Sequence, residues 1–121
     1  MEQPYIGEYK EFISSFQKGT TTGEDVGICV AKMAQYFTSV NSEYATAMFT
    51  FNKKAAEIEG TKDDNGKSIT SSKAKTLYEA TPEYESYARA KVNVANVEQI
   101  INALKSLQKG ILNEYSHMGL Q

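Results

Sequence analysis

Apolar residues recur along this chain at steps of three and four, and these stripes divide it into helices. In residues 5–17, Tyr5, Tyr9, Phe12, Ile13 and Phe16 form one apolar stripe on a short amphipathic helix. Lys18-Gly19 ends it, and Thr20-Thr21-Thr22-Gly23 reads as a linker. Thr22 and Asp25 then have the spacing of a capping box, with Asp in place of the usual Glu. The hydroxyl accepts from a free first-turn amide, and the carboxylates of Glu24 and Asp25 suit the positive end of the helix dipole. From there Val26, Val30, Met33, Phe37, Val40, Tyr44, Ala47 and Phe51 alternate by four and three, and Ile58 keeps the phase after Lys54 breaks it. A helix of about 35 residues, roughly 50 Å long, follows from that run.

Gly60 stops the second helix, and Thr61 to Ser68, with Asp63-Asp64-Asn65-Gly66 inside it, has strong turn chemistry. Ser68 or Ser71 opens a short helical segment in which Ala74, Leu77 and Tyr78 share a face, ending at Ala80. Thr81-Pro82-Glu83 is a second helix start, with proline where its missing amide costs nothing. Tyr87, Ala90, Val94, Val97, Ile101, Leu104, Ile111, Tyr115 and Met118 continue the rhythm, with Gln108 the polar intruder and Gly110 a local weak point. Two long helices of similar length joined by a compact polar region predict an all-α fold. It is a long antiparallel helical hairpin, coiled-coil-like, with a short N-terminal helix and a short helix at the hairpin turn. The whole chain, 1–121, reads as a single helical domain with elements at 5–17, 23–59, 60–80 and 82–118.

A hairpin needs one apolar stripe per helix, and both long helices carry more. Ile28, Cys29, Tyr36, Met48 and Phe49 fall off the first seam, as Ile100, Leu107 and Leu112 fall off the second. A wider stripe calls for more than one neighbour. An exposed surplus of this size marks an interface, so Ile28, Tyr36, Met48, Phe49, Ile100, Leu107 and Leu112 are the expected contacts of a homo-oligomer. The alternative is that the N-terminal helix folds back and completes a three-helix monomer.

Composition adds boundaries. The 121 residues are 40% hydrophobic and 23% charged, without tryptophan. That length suits one modest core. No run reaches the roughly 18 apolar residues of a membrane span, and the N-terminus lacks a secretory signal's basic start and apolar run. With one cysteine, Cys29, neither an intrachain disulfide nor a cysteine-based zinc cluster is available. A cytoplasmic protein is the expectation, with a virion interior as the alternative. Net charge is −2, which gives no global attraction for nucleic acid. The charge is uneven, because residues 50–75 hold six lysines against four acids.

Reactive chemistry is sparse. His117 lies three residues from Glu114, a spacing that di-iron bundles use, but those sites need the pair twice plus further glutamates. A histidine favoured by the negative helix end is the simpler account. Cys29 sits beside the first seam as a small buried hydrophobe. Asp63-Asp64-Asn65-Gly66-Lys67 lacks the ligand order of a calcium loop, having lysine at the fifth position and no glutamate at the twelfth. Gly60 to Gly66, followed by Lys67-Ser68, has one residue too many for a phosphate loop and follows a helix rather than a strand. No catalytic residue, metal or cofactor is expected, and an enzyme is the last of the readings.

What remains is a group mixing aromatic and basic residues. Tyr78, Tyr84 and Tyr87 lie near the helix junction close to Lys73, Lys75, Arg89 and Lys91. Lys53, Lys54, Lys62 and Lys67 extend the basic set, so that Lys53, Lys54, Lys62, Lys67, Lys73, Lys75, Tyr84, Arg89 and Lys91 are the candidate nucleic-acid or ligand contacts. The order of features over residues 45–118 includes Tyr-Glu-Ser-Tyr-Ala-Arg-Ala-Lys leading into Ile-Ile-Asn-Ala-Leu-Lys-Ser-Leu-Gln-Lys-Gly. It resembles small helical proteins of tailed bacteriophages and, in layout, the phage recombination mediator family. That resemblance implies a ring of subunits with a basic rim that assists single-stranded DNA transactions. Two other readings stand beside it: a virion structural, scaffold or protein-interaction component, and a phage binding protein that sequesters a small nucleotide signal between subunits. The partners expected are further copies of the chain, single-stranded DNA or another phage protein, and no membrane.

Overall fold

A computed structural model describes residues 3–119, with side chains to Glu114. It contains four helices: α1 (Pro4–Gln17), α2 (Gly23–Glu59), α3 (Ser71–Glu79) and α4 (Pro82–Gly119). The two long helices pack against each other as the hairpin that their stripes require. Among the described residues no helix is long and apolar enough to cross a membrane.

Their starts follow from local chemistry. The Thr22 amide donates to Asp25 Oδ2 at 3.0 Å and the Asp25 amide donates to Thr22 Oγ1 at 3.2 Å, the reciprocal pair of a capping box. Helix α3 opens at Ser71, one of the two expected starts, and is capped by Thr70, whose hydroxyl accepts from the Lys73 amide at 3.1 Å. At α4 the Thr81 hydroxyl accepts from the Tyr84 amide at 3.2 Å, with Pro82 next to it. The turn between α2 and α3 is a miniature loop built on one carboxylate. Asp63 Oδ1 accepts from the amides of Asn65 and Lys67, both at 2.9 Å. Gly66 sits at φ +76° to close it, and Lys62 bridges to Ser68 in antiparallel fashion.

The residues fall into two compact units, Met1–Ser39 with Ala95–Gln121, and Val40–Val94. In the first, Val26 and Met33 of α2 and Val97 and Leu104 of α4 are buried, each pair one heptad apart. Each such side chain is worth about 1.5–3 kcal/mol when fully buried. The start of α2 lies beside the end of α4, where the Gln108 side-chain amide donates to the Gly23 carbonyl at 3.4 Å. The polar intruder of the second stripe therefore meets the polar backbone at a helix start. Helix α1 folds back onto both long helices. Tyr5 is 1% exposed and its hydroxyl accepts from the Asn96 amide of α4 at 3.3 Å, while Glu8 pairs with Lys32 of α2 at 3.5 Å.

In the second unit the end of α2 lies beside the start of α4. Val40, Ala74 and Ala90 are its buried apolar residues, and Asn93 is buried with them. Much of its packing is carried by half-buried aromatic rings. Phe51 meets Tyr78, Tyr84 and Tyr87 at centroid distances of 5.5, 5.3 and 5.1 Å, and Tyr44 stacks on Tyr87 at 5.8 Å. Pairs of this kind add about 0.5–1.5 kcal/mol beyond the area they bury.

Candidate functional site

Position relative to the seam sorts the surplus apolar residues. At 100° per residue, a side chain two places after a seam residue points almost directly away from the partner helix, and one three places after lies on a flank of the seam. In the first unit Cys29, Tyr36, Ile100 and Leu107 each follow a seam residue by three, and all are buried or half-buried. Helix α1 lies on that flank, with Tyr5, Ile6 and Tyr9 lining a shallow hollow together with Ile100. Ile28 follows Val26 by two and is 52% exposed. In the second unit Phe49 follows Ala47 by two and is 72% exposed, and Val92 follows Ala90 by two and is also exposed. In the first unit Leu112 follows the seam residue Ile111 by one, on the flank opposite to α1's, and in the second Met48 follows Ala47 by one; both are exposed. So Ile28, Met48, Phe49 and Leu112 remain open, whereas Tyr36, Ile100 and Leu107 are partly covered. Val92, Leu77 and Phe16 join the exposed set; Val92 lies on the long α4 off its stripe, and Phe16 and Leu77 belong to the apolar faces of the short helices α1 and α3.

The basic candidates all belong to the second unit. Lys53 and Lys54 lie near the end of α2, Lys62 and Lys67 flank the turn, Lys73 and Lys75 are on α3, and Arg89 and Lys91 are on α4. Three of them pair with a carboxylate on their own helix: Lys54 with Glu57 at 3.9 Å, Lys75 with Glu79 at 3.8 Å and Arg89 with Glu85 at 2.6 Å. The Lys62 ammonium donates to the Ser68 hydroxyl at 3.2 Å. Lys53, Lys67, Lys73 and Lys91 are exposed. Residues 40–94 hold eight cations and eight carboxylates in all, so this unit carries no net field at long range. Tyr84 is not a free stacking platform, because its ring packs on Phe51 and lies 6.3 Å from Tyr87.

The first unit contains a groove of about 320 Å³ between α1 and α2, lined among others by Glu8, Phe12, Thr21, Asp25, Cys29 and Lys32. Its volume is at the small end of ligand pockets. Burial pushes the Cys29 thiol above its ordinary pKa, Glu8 adds to the rise, and Lys32 opposes it. That is the reverse of what activates a thiol. Among the described residues no group of three His, Cys, Asp or Glu side chains is placed to hold a metal ion. The His117 side chain, and with it the Glu114–His117 pair, lies outside the described residues.

The sequence reading missed Asn93 and Asn96. Asn93 follows the seam residue Ala90 by three and is a buried polar group of the second unit. Neither family models, curated proteins nor solved structures yield a match to the chain.

Proposed function

We propose that the protein works without catalysis, as a self-associating helical interaction protein whose outward-facing apolar side chains dock on further copies of the chain. The observation that carries this reading is Phe49, which is 72% exposed on a helix whose seam is already occupied. Because it points away from the hairpin partner, no adjustment within the hairpin covers it. A rigid, exposed aromatic of this kind is the usual anchor of a protein interface.

The nucleic-acid reading has less behind it. It draws on the exposed Lys53, Lys67, Lys73 and Lys91, but the equal number of carboxylates in their unit works against a basic rim. Multiplying a balanced unit by subunit number leaves it balanced.

Sedimentation velocity over a range of concentrations tests the proposal. The wild-type chain is expected to associate, and Phe49→Asp to weaken association by about thirtyfold, which corresponds to the ~2 kcal/mol of an interface anchor. Thermal stability of the dissociated chain should be unchanged, since Phe49 contributes little to its own core. A wild-type chain that stays monomeric at every concentration overturns the proposal.

A further inference from the structure

Helix α1 is joined to the rest of its unit by a five-residue hinge, Lys18–Thr22, in which the amides of Lys18, Gly19 and Thr22 are bonded and one side-chain hydroxyl is not. Gly19 holds φ +74°, a left-handed conformation that glycine tolerates. The Thr20 hydroxyl turns back to donate to the Ser15 carbonyl at 3.3 Å. The next hydroxyl, Thr21 Oγ1, is buried with no hydrogen-bond partner. A buried hydroxyl left unpaired is destabilising. The contacts that dock α1 (Tyr5 with Asn96, and Glu8 with Lys32) are between α1 and the two long helices, and nothing in them requires all three helices to belong to one chain.

We propose that α1 exchanges between two copies of the chain, each copy's α1 filling the other's groove on α2 and α4. The exchange keeps every docking contact and opens the hinge, which releases the Thr21 hydroxyl to water. It closes on itself with two-fold symmetry, as exchanged elements do. The inference rests on the self-association reading and adds, on the first unit, a second contact between two chains besides the one at Phe49.

Two measurements on the full chain test it. In a Cys29→Ala background, Ile6→Cys and Ile100→Cys place one thiol on α1 and one on α4 around the same hollow, to be bridged with a short bis-maleimide. Exchange gives chains covalently joined as dimers on a denaturing gel; bridging only within single chains, in a sample that sedimentation shows to be associated, overturns the exchange and leaves self-association standing. The second variant, Thr21→Val, removes the unpaired hydroxyl at nearly constant shape. It is expected to lower the exchanged fraction several-fold, and an unchanged fraction overturns the proposed role of the hinge. A sample that is monomeric throughout overturns both readings together.

Discussion

The phenol oxygen of Tyr5 accepts a hydrogen bond from the Asn96 side-chain amide at 3.3 Å, across ninety-one positions of sequence. The ring beneath that oxygen is among the most deeply buried side chains of the described residues. Tyr5 therefore docks α1 twice, through its apolar body and through its polar tip. Tyr5→Phe keeps the first and loses the second, and is expected to cost about 1 kcal/mol, since Asn96 is only half-buried and water replaces part of the bond. Tyr5→Ala loses both and is expected to cost about 3–5 kcal/mol, as large aromatic truncations do. Urea unfolding of the two variants measures both numbers. A Tyr5→Ala cost no larger than that of Tyr5→Phe would mean that α1 is not part of the folded unit.

Gly110 offers the opposite sign. It lies inside α4, is exposed, and a methyl group built on it meets nothing within 4 Å. The backbone freedom that glycine gives the unfolded chain is thus uncompensated by any packing need. Gly110→Ala should stabilise the protein by about 1 kcal/mol. The midpoint of thermal or urea unfolding reports it directly.

These two residues show what the sequence contained and what it did not. Gly110 was legible because helix propensity is local: the residue and its helix settle the sign. The seams were legible for a similar reason, since Val26, Met33, Val97 and Leu104 announce a buried face by their spacing alone. Periodicity says which face wants cover but not what supplies it. That Ile100 is partly covered by α1 depends on where α1 docks, and Tyr5 gives no hint of Asn96 in the linear pattern. The cap of α3 is a smaller instance. Ser68, Thr70, Ser71 and Ser72 all bear hydroxyls, and only backbone geometry selects Thr70. The basic candidates were legible as a group, but not their neutralisation, because Lys75 and Glu79, or Arg89 and Glu85, count as a surplus or a pair depending on side-chain geometry.

Cys29 gives a prediction in pH. Its thiol is held above its ordinary pKa, chiefly by burial. The folded state therefore keeps the proton that the unfolded chain gives up first. The sign follows from linkage: this contribution to stability is intact below the unfolded-state pKa and is lost as pH climbs toward the folded-state value. Stability should accordingly fall on the alkaline side, and Cys29→Ala should flatten that limb. Thiol-specific alkylation supplies a second readout. Native protein should react slowly at neutral pH and quickly once denaturant exposes the site. Rapid labelling of the native chain at neutral pH would contradict the burial of this side chain.

The hydroxyl of Thr81 ties two helices together. It donates to the Tyr78 carbonyl at 2.7 Å, at the end of α3, and accepts from the Tyr84 amide at 3.2 Å, at the start of α4. Helix α3 has nine residues, short of the roughly 12–15 that even a strong helix former needs in water. It must borrow stability, and the packing of Tyr78 on Phe51 and this hydroxyl add to the Thr70 cap and the buried Ala74. Thr81→Val removes both bonds while preserving shape, and should cost about 1–2 kcal/mol, the upper range for a lost cap. Thr81→Ser keeps the oxygen and should cost little. Amide hydrogen exchange separates a local from a global effect: in Thr81→Val, protection should fall first at the amides of α3, ahead of those around Val26 and Leu104. Equal loss of protection everywhere would show that α3 and the first unit unfold only together, leaving Thr81 no particular hold on the short helix.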